Sequence, residues 1–282
     1  MLYWLRQEGS NAKKHQEWWH PTAVYLIHHT IVTVAVFWGH DLFVARDCEG
    51  EDTIEYQLYR HRQELCTILT GIYAVLQLVC RLWQTTSHRT RVLYEGTWLC
   101  NTTLVIGSLA LWYRRPLITT AFCLTVGIDQ LLWYVDIVGW LATGRFPVGV
   151  VKYLTWPSTP WVTRLTCTHH VWTIPVFLYY AAAPLQYQAL WLSGLIMVLH
   201  VSLSRLLTPF HLQGNYLNVN LSYELWKDIK IEFLQVCRDN PPAHVYLFRF
   251  LWRWQGFNVL VYLVLSIISR HIILGDVPQR LC

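Results

Sequence analysis

An all-α, polytopic membrane bundle of about seven transmembrane helices is the fold class that the sequence predicts, on three observations. Only 14% of the 282 residues are charged while 54% are hydrophobic, against about 25% charged residues in a soluble domain. The charge deficit is gathered into long apolar runs, and the mean hydropathy is +0.28. Sixteen Trp and sixteen Tyr suit the two bilayer interfaces. A disordered chain, a coiled coil and a secreted disulfide scaffold are excluded by the same composition. The eight cysteines (Cys48, Cys66, Cys80, Cys100, Cys123, Cys167, Cys237, Cys282) show no CxxC and no regular spacing. They read mostly as small buried hydrophobes. A net charge of +5 suggests basic loops against anionic headgroups. No Lys/Arg cluster interleaved with aromatics is dense enough for nucleic acid.

A span needs about 20 mostly apolar residues. That ruler places seven along one domain of 282 residues, at about 21–45, 65–83, 92–113, 117–142, 164–183, 186–207 and 246–274. Residues 1–20 are polar and tryptophan-rich, so the first span is expected to act as its own insertion signal. The second span is short and carries Gln77, and the fourth contains Asp129 and Asp136. Arg249 and Arg253 open the seventh, where long side chains can snorkel. Residues 46–64 read as a polar loop. Leu225, Ile229, Phe233 and Val236 recur at helical spacing ahead of Pro241 and Pro242, which predicts an amphipathic helix over about 222–238, on the membrane surface or packed on the loops. No internal repeat and no broken span is visible, which weighs against a transporter.

Lys and Arg set the expected orientation. Fifteen fall on the side of the N-terminus and seven on the other, which favours a cytoplasmic N-terminus. The sequons at Asn101 and Asn220 would then be intramembrane and cytoplasmic. With no targeting motif, the endoplasmic reticulum is the default endomembrane location.

Polar groups inside spans are expensive and usually face the bundle interior. Here they share a depth. His28 and His29, Gln77, Cys100 and Asn101, Asp136, His170 and His200 each lie six to eight residues from the N-terminal-side boundary, or roughly 9–12 Å at 1.5 Å per residue. Gln255 and Asn258 join them. Taken singly, His28, His29 and His169 read as interhelical hydrogen-bonders, and Gln77 and Asn101 as glue between helices. Cys100 alone reads as an inert core residue. Taken together, a thiol, imidazoles and a carboxylate on different helices make a candidate nucleophile, base and orienting group. Asp129, on the face of Asp136 but about 10 Å deeper, is expected to pair with a cation of the last span or to stay protonated.

Three stretches carry a resemblance. Trp98-Leu99-Cys100-Asn101 before an apolar run, His170 followed by Pro175 and Tyr179, and His200 followed by Asn218-Val219-Asn220 resemble motifs of the YwaF-like seven-span family. Its relatives are cysteine-dependent acyltransferases that remodel phospholipids. The resemblance covers about residues 92–222. It implies that Cys100 carries an acyl group as a thioester, that His170 or His200 is its base, and that Asn218 or Asn220 makes an oxyanion or headgroup contact. Asn101 and Asp136 are further substrate-binding candidates.

The expected function is thus an intramembrane lipid acyltransferase or acyl hydrolase, with membrane lipids as partners and no cofactor. An alternative is a zinc-dependent intramembrane amidase or hydrolase, with His28 or His29, His170 and His200 as metal ligands and Asp136 nearby. It lacks the HxxxH pattern, and His271 lies at the far end of its span. A non-catalytic transporter or structural subunit is the third class.

Overall fold

The computed structural model describes residues 17–43, 54–84, 89–181, 185–212, 215–225 and 241–268. Nine α-helices account for most of them. They are α1 (Trp19–Phe43), α2 (Ile54–Gln84), α3 (Arg89–Glu95), α4 (Leu99–Trp112), α5 (Pro116–Thr143), α6 (Trp161–Thr166), α7 (His169–Ala181), α8 (Gln188–Leu207) and α9 (Ala243–Ile268). Among the described residues the single β element is a two-residue ladder, His211–Leu212 against Asn215–Tyr216. Stretches of α1, α2, α5, α8 and α9 are long and apolar enough to cross a membrane, so the chain is a multi-pass, all-α membrane helix bundle.

Burial explains the arrangement. α5 packs against α4, α7, α8 and α9. Its N-terminal half, from Leu117 to Gly127, is buried all round, as expected of a helix at the centre of a bundle. α1, α2 and α9 instead present Leu26, Val34, Trp38, Val75, Val79, Leu260 and Ile267 outward, an apolar surface suited to lipid. The tight contacts are made at small residues, as in membrane helix pairs generally. A Cβ added at Gly107 would stand 2.7 Å from Phe177 Cε2, and one at Gly127 would overlap Val261 Cγ1.

Two of the seven expected spans are not continuous helices. The 92–113 run is divided into α3 and α4, and the 164–183 run into α6 and α7. With 14 and 13 residues, α4 and α7 reach only about 20 Å. The expectation of unbroken spans is therefore corrected. Both breaks have local causes. Gly96 lies against the Tyr25 ring, and the Thr97 hydroxyl donates to the Tyr94 carbonyl at 2.7 Å. In the second break the Thr168 hydroxyl donates to the Leu165 carbonyl at 2.7 Å. Such side-chain to backbone bonds compete with helix continuation. Pro175 inside α7 has no N–H, which releases the Val171 carbonyl, and the Tyr134 hydroxyl donates to that oxygen at 3.0 Å.

The expected 46–64 loop is shorter than its polarity suggested, because α2 begins at Ile54. Arg60 and Glu64 pair across one turn at 3.1 Å. Polarity there marks the end of the apolar layer, not the end of the helix. Of the expected amphipathic segment only residues 222–225 are described, and Leu225 belongs to the core. Ile229, Phe233 and Val236 lie outside the described residues.

Residues 217–222 form a buried polar plug beneath α8. Asn218 and Asn220 adopt left-handed backbone angles, as does Leu221 at φ 54°, a region that asparagine tolerates better than leucine. The Tyr223 hydroxyl donates to the Thr208 carbonyl at 2.6 Å and the Arg205 carbonyl at 3.1 Å. Burial pushes this phenol up to about 12, so it remains a donor.

Gly127→Ala is expected to destabilise the protein by about 1–3 kcal/mol through overpacking, because β-branched Val261 has no spare rotamer into which to retreat. Adding Val261→Ala to the same chain is expected to restore part of the loss. Thermal unfolding in detergent, followed by tryptophan fluorescence, reads both effects.

Candidate functional site

The two helix breaks bring two helix beginnings together. Cys100 is the second residue of α4, and His169 and His170 are the first two of α7. Cys100 Sγ and one ring nitrogen from each histidine all lie within 4.8 Å of one another. Among the described residues no other group of three His, Cys, Asp or Glu donors converges in this way.

His169 is 1% exposed. Its Nδ1 lies 2.6 Å from the Thr166 carbonyl, which can only accept. Nδ1 therefore carries the proton, and the lone pair is on Nε2, a buried atom with no hydrogen-bond partner. The His170 ring is held between two planes. It stacks on His169 with centroids 4.2 Å apart and on the Trp133 indole at 4.2 Å and 17°. Its Nδ1 is also buried without a partner.

A charged and polar shell surrounds the trio. Arg81 of α2 donates to the Thr166 hydroxyl at 2.8 Å and to Cys167 Sγ at 3.2 Å. Its other face approaches Glu95 at 3.9 Å, and Glu95 also pairs with Arg91 at 2.7 Å. Tyr153, in the loop after α5, places its hydroxyl 3.1 Å from Cys167 Sγ. Burial and the neighbouring Cys167 hold this phenol well above its ordinary range, so it is neutral. Sequence reasoning missed Arg81, Tyr153 and Cys167. The visible signal was Thr166-Cys167-Thr168-His169-His170, hydroxyl residues inside an apolar run immediately before two imidazoles.

Cys100 is partly buried and borders a cleft lined by Trp98, Leu99, Val126, Asp129, Met197 and Trp254 among others. The walls are apolar apart from Cys100, Asn220 and Asp129. No hydrogen bond or ion pair holds the Asp129 carboxylate among the described residues, so the expected pairing with a cation of the last span is not seen.

The remaining sequence candidates have other tasks. His200 is not a member of that trio; its ring is 4.8 Å from His28 and 6.1 Å from Phe122. His29 is beside His28 at 5.5 Å. These three do not join His170 and Asp136, so the expected zinc set is not assembled. Asp136 is a structural carboxylate. It accepts the N–H groups of Val148 at 2.7 Å, Gly149 at 2.9 and 3.0 Å, and Val151 at 3.1 Å. That network folds the loop after the Gly144 cap of α5.

Asn101 and Gln77 bond to each other, and the Asn101 amide donates to the Glu95 carbonyl at 2.8 Å. Asn220 accepts the Leu99 N–H at 2.7 Å and donates to the Thr97 carbonyl at 2.9 Å and Ser204 Oγ at 2.8 Å. It caps α4 from a distant part of the chain, so both amide hydrogens are used and none remains for an oxyanion. Asn218 is likewise spent on the Tyr216 hydroxyl and the Glu224 carbonyl. Gln255 and Asn258 bond to Leu190 and Ser193 on α8, forming a seam between α8 and α9.

Compared with known protein families, curated proteins and solved structures, the chain matches none of them.

Asp136→Ala is expected to destabilise the protein by about 2–4 kcal/mol, since it leaves three N–H groups without their acceptor. Limited proteolysis should then cut within residues 144–151, which the parent protein protects. Asn220→Ala is expected to cost about 2–3 kcal/mol for the same reason, read as a lower unfolding temperature.

Proposed function

We propose that the protein is an intramembrane lipid acyltransferase or acyl hydrolase that works through a thioester on Cys100, with His169 as base and His170 beside it. The observation that carries this reading is the convergence of Sγ with two imidazole nitrogens within 4.8 Å at the edge of a largely apolar cleft. The Thr166 carbonyl fixes the His169 tautomer, as the third member of a nucleophile–base–orienter set does.

Each step balances. The imidazole takes the thiol proton, and the thiolate attacks the ester carbonyl of a lipid in the cleft. Collapse of the tetrahedral intermediate breaks the C–O bond, and the imidazolium returns the proton to the leaving alkoxide. A lyso-lipid hydroxyl or water then attacks the thioester, gives its proton to the imidazole, and releases the thiol. Cys100 sits in the first turn of α4, where N–H groups lack partners within the helix. The Leu99 N–H of that turn is taken by Asn220, which leaves the N–H groups of Cys100 and Asn101 as donors for an oxyanion. The Lys/Arg distribution supports a cytoplasmic N-terminus, and we place the enzyme in an endomembrane with its cleft open to lipid.

Purified protein incubated with a clickable acyl phospholipid is expected to form a hydroxylamine-labile adduct that Cys100→Ser abolishes. His169→Ala should slow adduct formation by about 10²–10⁴. His200→Ala, which lies outside the trio, should change it less than threefold per folded protein. An adduct that survives in Cys100→Ser, or no adduct on folded parent protein, overturns the reading.

A further inference from the structure

The donor set that suits acyl transfer also suits a metal. We propose that Cys100, His169 and His170 form a three-ligand site for a divalent transition metal of the zinc class, and that metal binding and acylation of Cys100 exclude each other.

The case for the metal site stands on the donors alone. One thiolate and two imidazoles suit zinc-class ions and not calcium or magnesium, which take oxygen ligands. Neighbouring donors in a tetrahedral Cys/His zinc site are roughly 3.5 Å apart, given Zn–S near 2.3 Å and Zn–N near 2.0 Å. Closing the observed spread of up to 4.8 Å takes rotation of the Cys100 side chain together with a turn of the His170 ring out of its stack on His169 and Trp133. His169 is prepared as a ligand, because its Nδ1–H is donated to the Thr166 carbonyl and a buried, unpartnered Nε2 remains. A ligating histidine almost always donates its other N–H in this way. His170 adds a second buried nitrogen without a partner.

The surroundings leave one coordination position. Three protein donors leave a fourth tetrahedral position for water or substrate, and Cys100 borders the cleft that Asp129 also lines. Arg81 is the nearby opposing charge, and it is offset by Glu95 at 3.9 Å. The His28, His29 and His200 group lacks this convergence and has no thiol. A bound metal replaces the Cys100 proton and occupies the sulfur lone pair that would attack an ester, so the two states compete for one atom. Only this competition rests on the acyl-transfer reading.

The test is titration of cobalt(II) chloride into reduced, chelator-treated full-length protein in detergent. A thiolate-to-cobalt charge-transfer band in the near ultraviolet is expected. It should vanish in Cys100→Ser and persist in Cys123→Ser, a control within α5. His169→Ala and His170→Ala should each weaken cobalt binding at least about tenfold. Thermal unfolding confirms that each variant is folded, and His169→Gln serves where His169→Ala is not. No band on folded parent protein, or an unchanged band in Cys100→Ser, overturns the site. Zinc-saturated protein should form the acyl adduct at least tenfold more slowly, with recovery on chelation. An undiminished rate overturns the exclusion. A cobalt band with no adduct in metal-free protein refutes the acyl-transfer reading, and the competition that rests on it, while the metal site stands.

Discussion

Inside a bilayer every backbone N–H and C=O must be satisfied by the protein itself, and two interrupted helices make that demand acute here. At residues 96–98 and 167–168 the regular ladder stops, yet Thr97 and Cys167 are buried there. The chain answers with side chains from remote positions. Asn220 caps Leu99 and takes up the Thr97 carbonyl, and the Tyr73 hydroxyl donates to the Thr166 carbonyl at 2.9 Å. Part of the polar shell of the site is this repair.

The repair also explains the odd backbone of the 217–222 plug. To bring one amide against Thr97, Leu99 and Ser204 together, the chain turns through three left-handed residues that are not glycine. Asparagine at two of them lowers the cost, and at both the side chain is consumed by hydrogen bonds. Leu221 has no such compensation and borders the cleft beside Asn220 and Cys100. Strain tolerated at a cleft edge is a recurring mark of places where position matters more than stability.

Much of the bundle was legible in the sequence, because a span writes its length as an apolar run. Expected and observed ends agree closely for the runs that became α1, α5 and α8. α2 was misjudged because hydropathy reports the bilayer and not the helix, which continues through Arg60 and Glu64. The breaks were not seen because Gly96, Thr97 and Thr168 are mild disturbances within otherwise apolar stretches. Depth found Cys100 and His170, and it also selected His200 and Asp136. Depth is one coordinate of three. Residues at one level can face different neighbours, and His200 turns to His28 while Asp136 turns to its own loop.

The histidines show what decides between a structural and a reactive role. His29 and His200 each donate Nδ1–H to the carbonyl one turn back, Tyr25 at 2.9 Å and Ile196 at 2.8 Å, and His169 does the same with Thr166. The local device is identical, and in all three Nε2 is left buried without a partner. A buried acceptor in that condition costs about 1–3 kcal/mol, so its surroundings determine its chemistry. Around His200 they are the rings of His28 and Phe122, which offer no group as acidic as a thiol. Around His169 they include a thiol. The same imidazole device faces aromatic rings in one place and a thiol in the other, and the broken helices are what create the second environment.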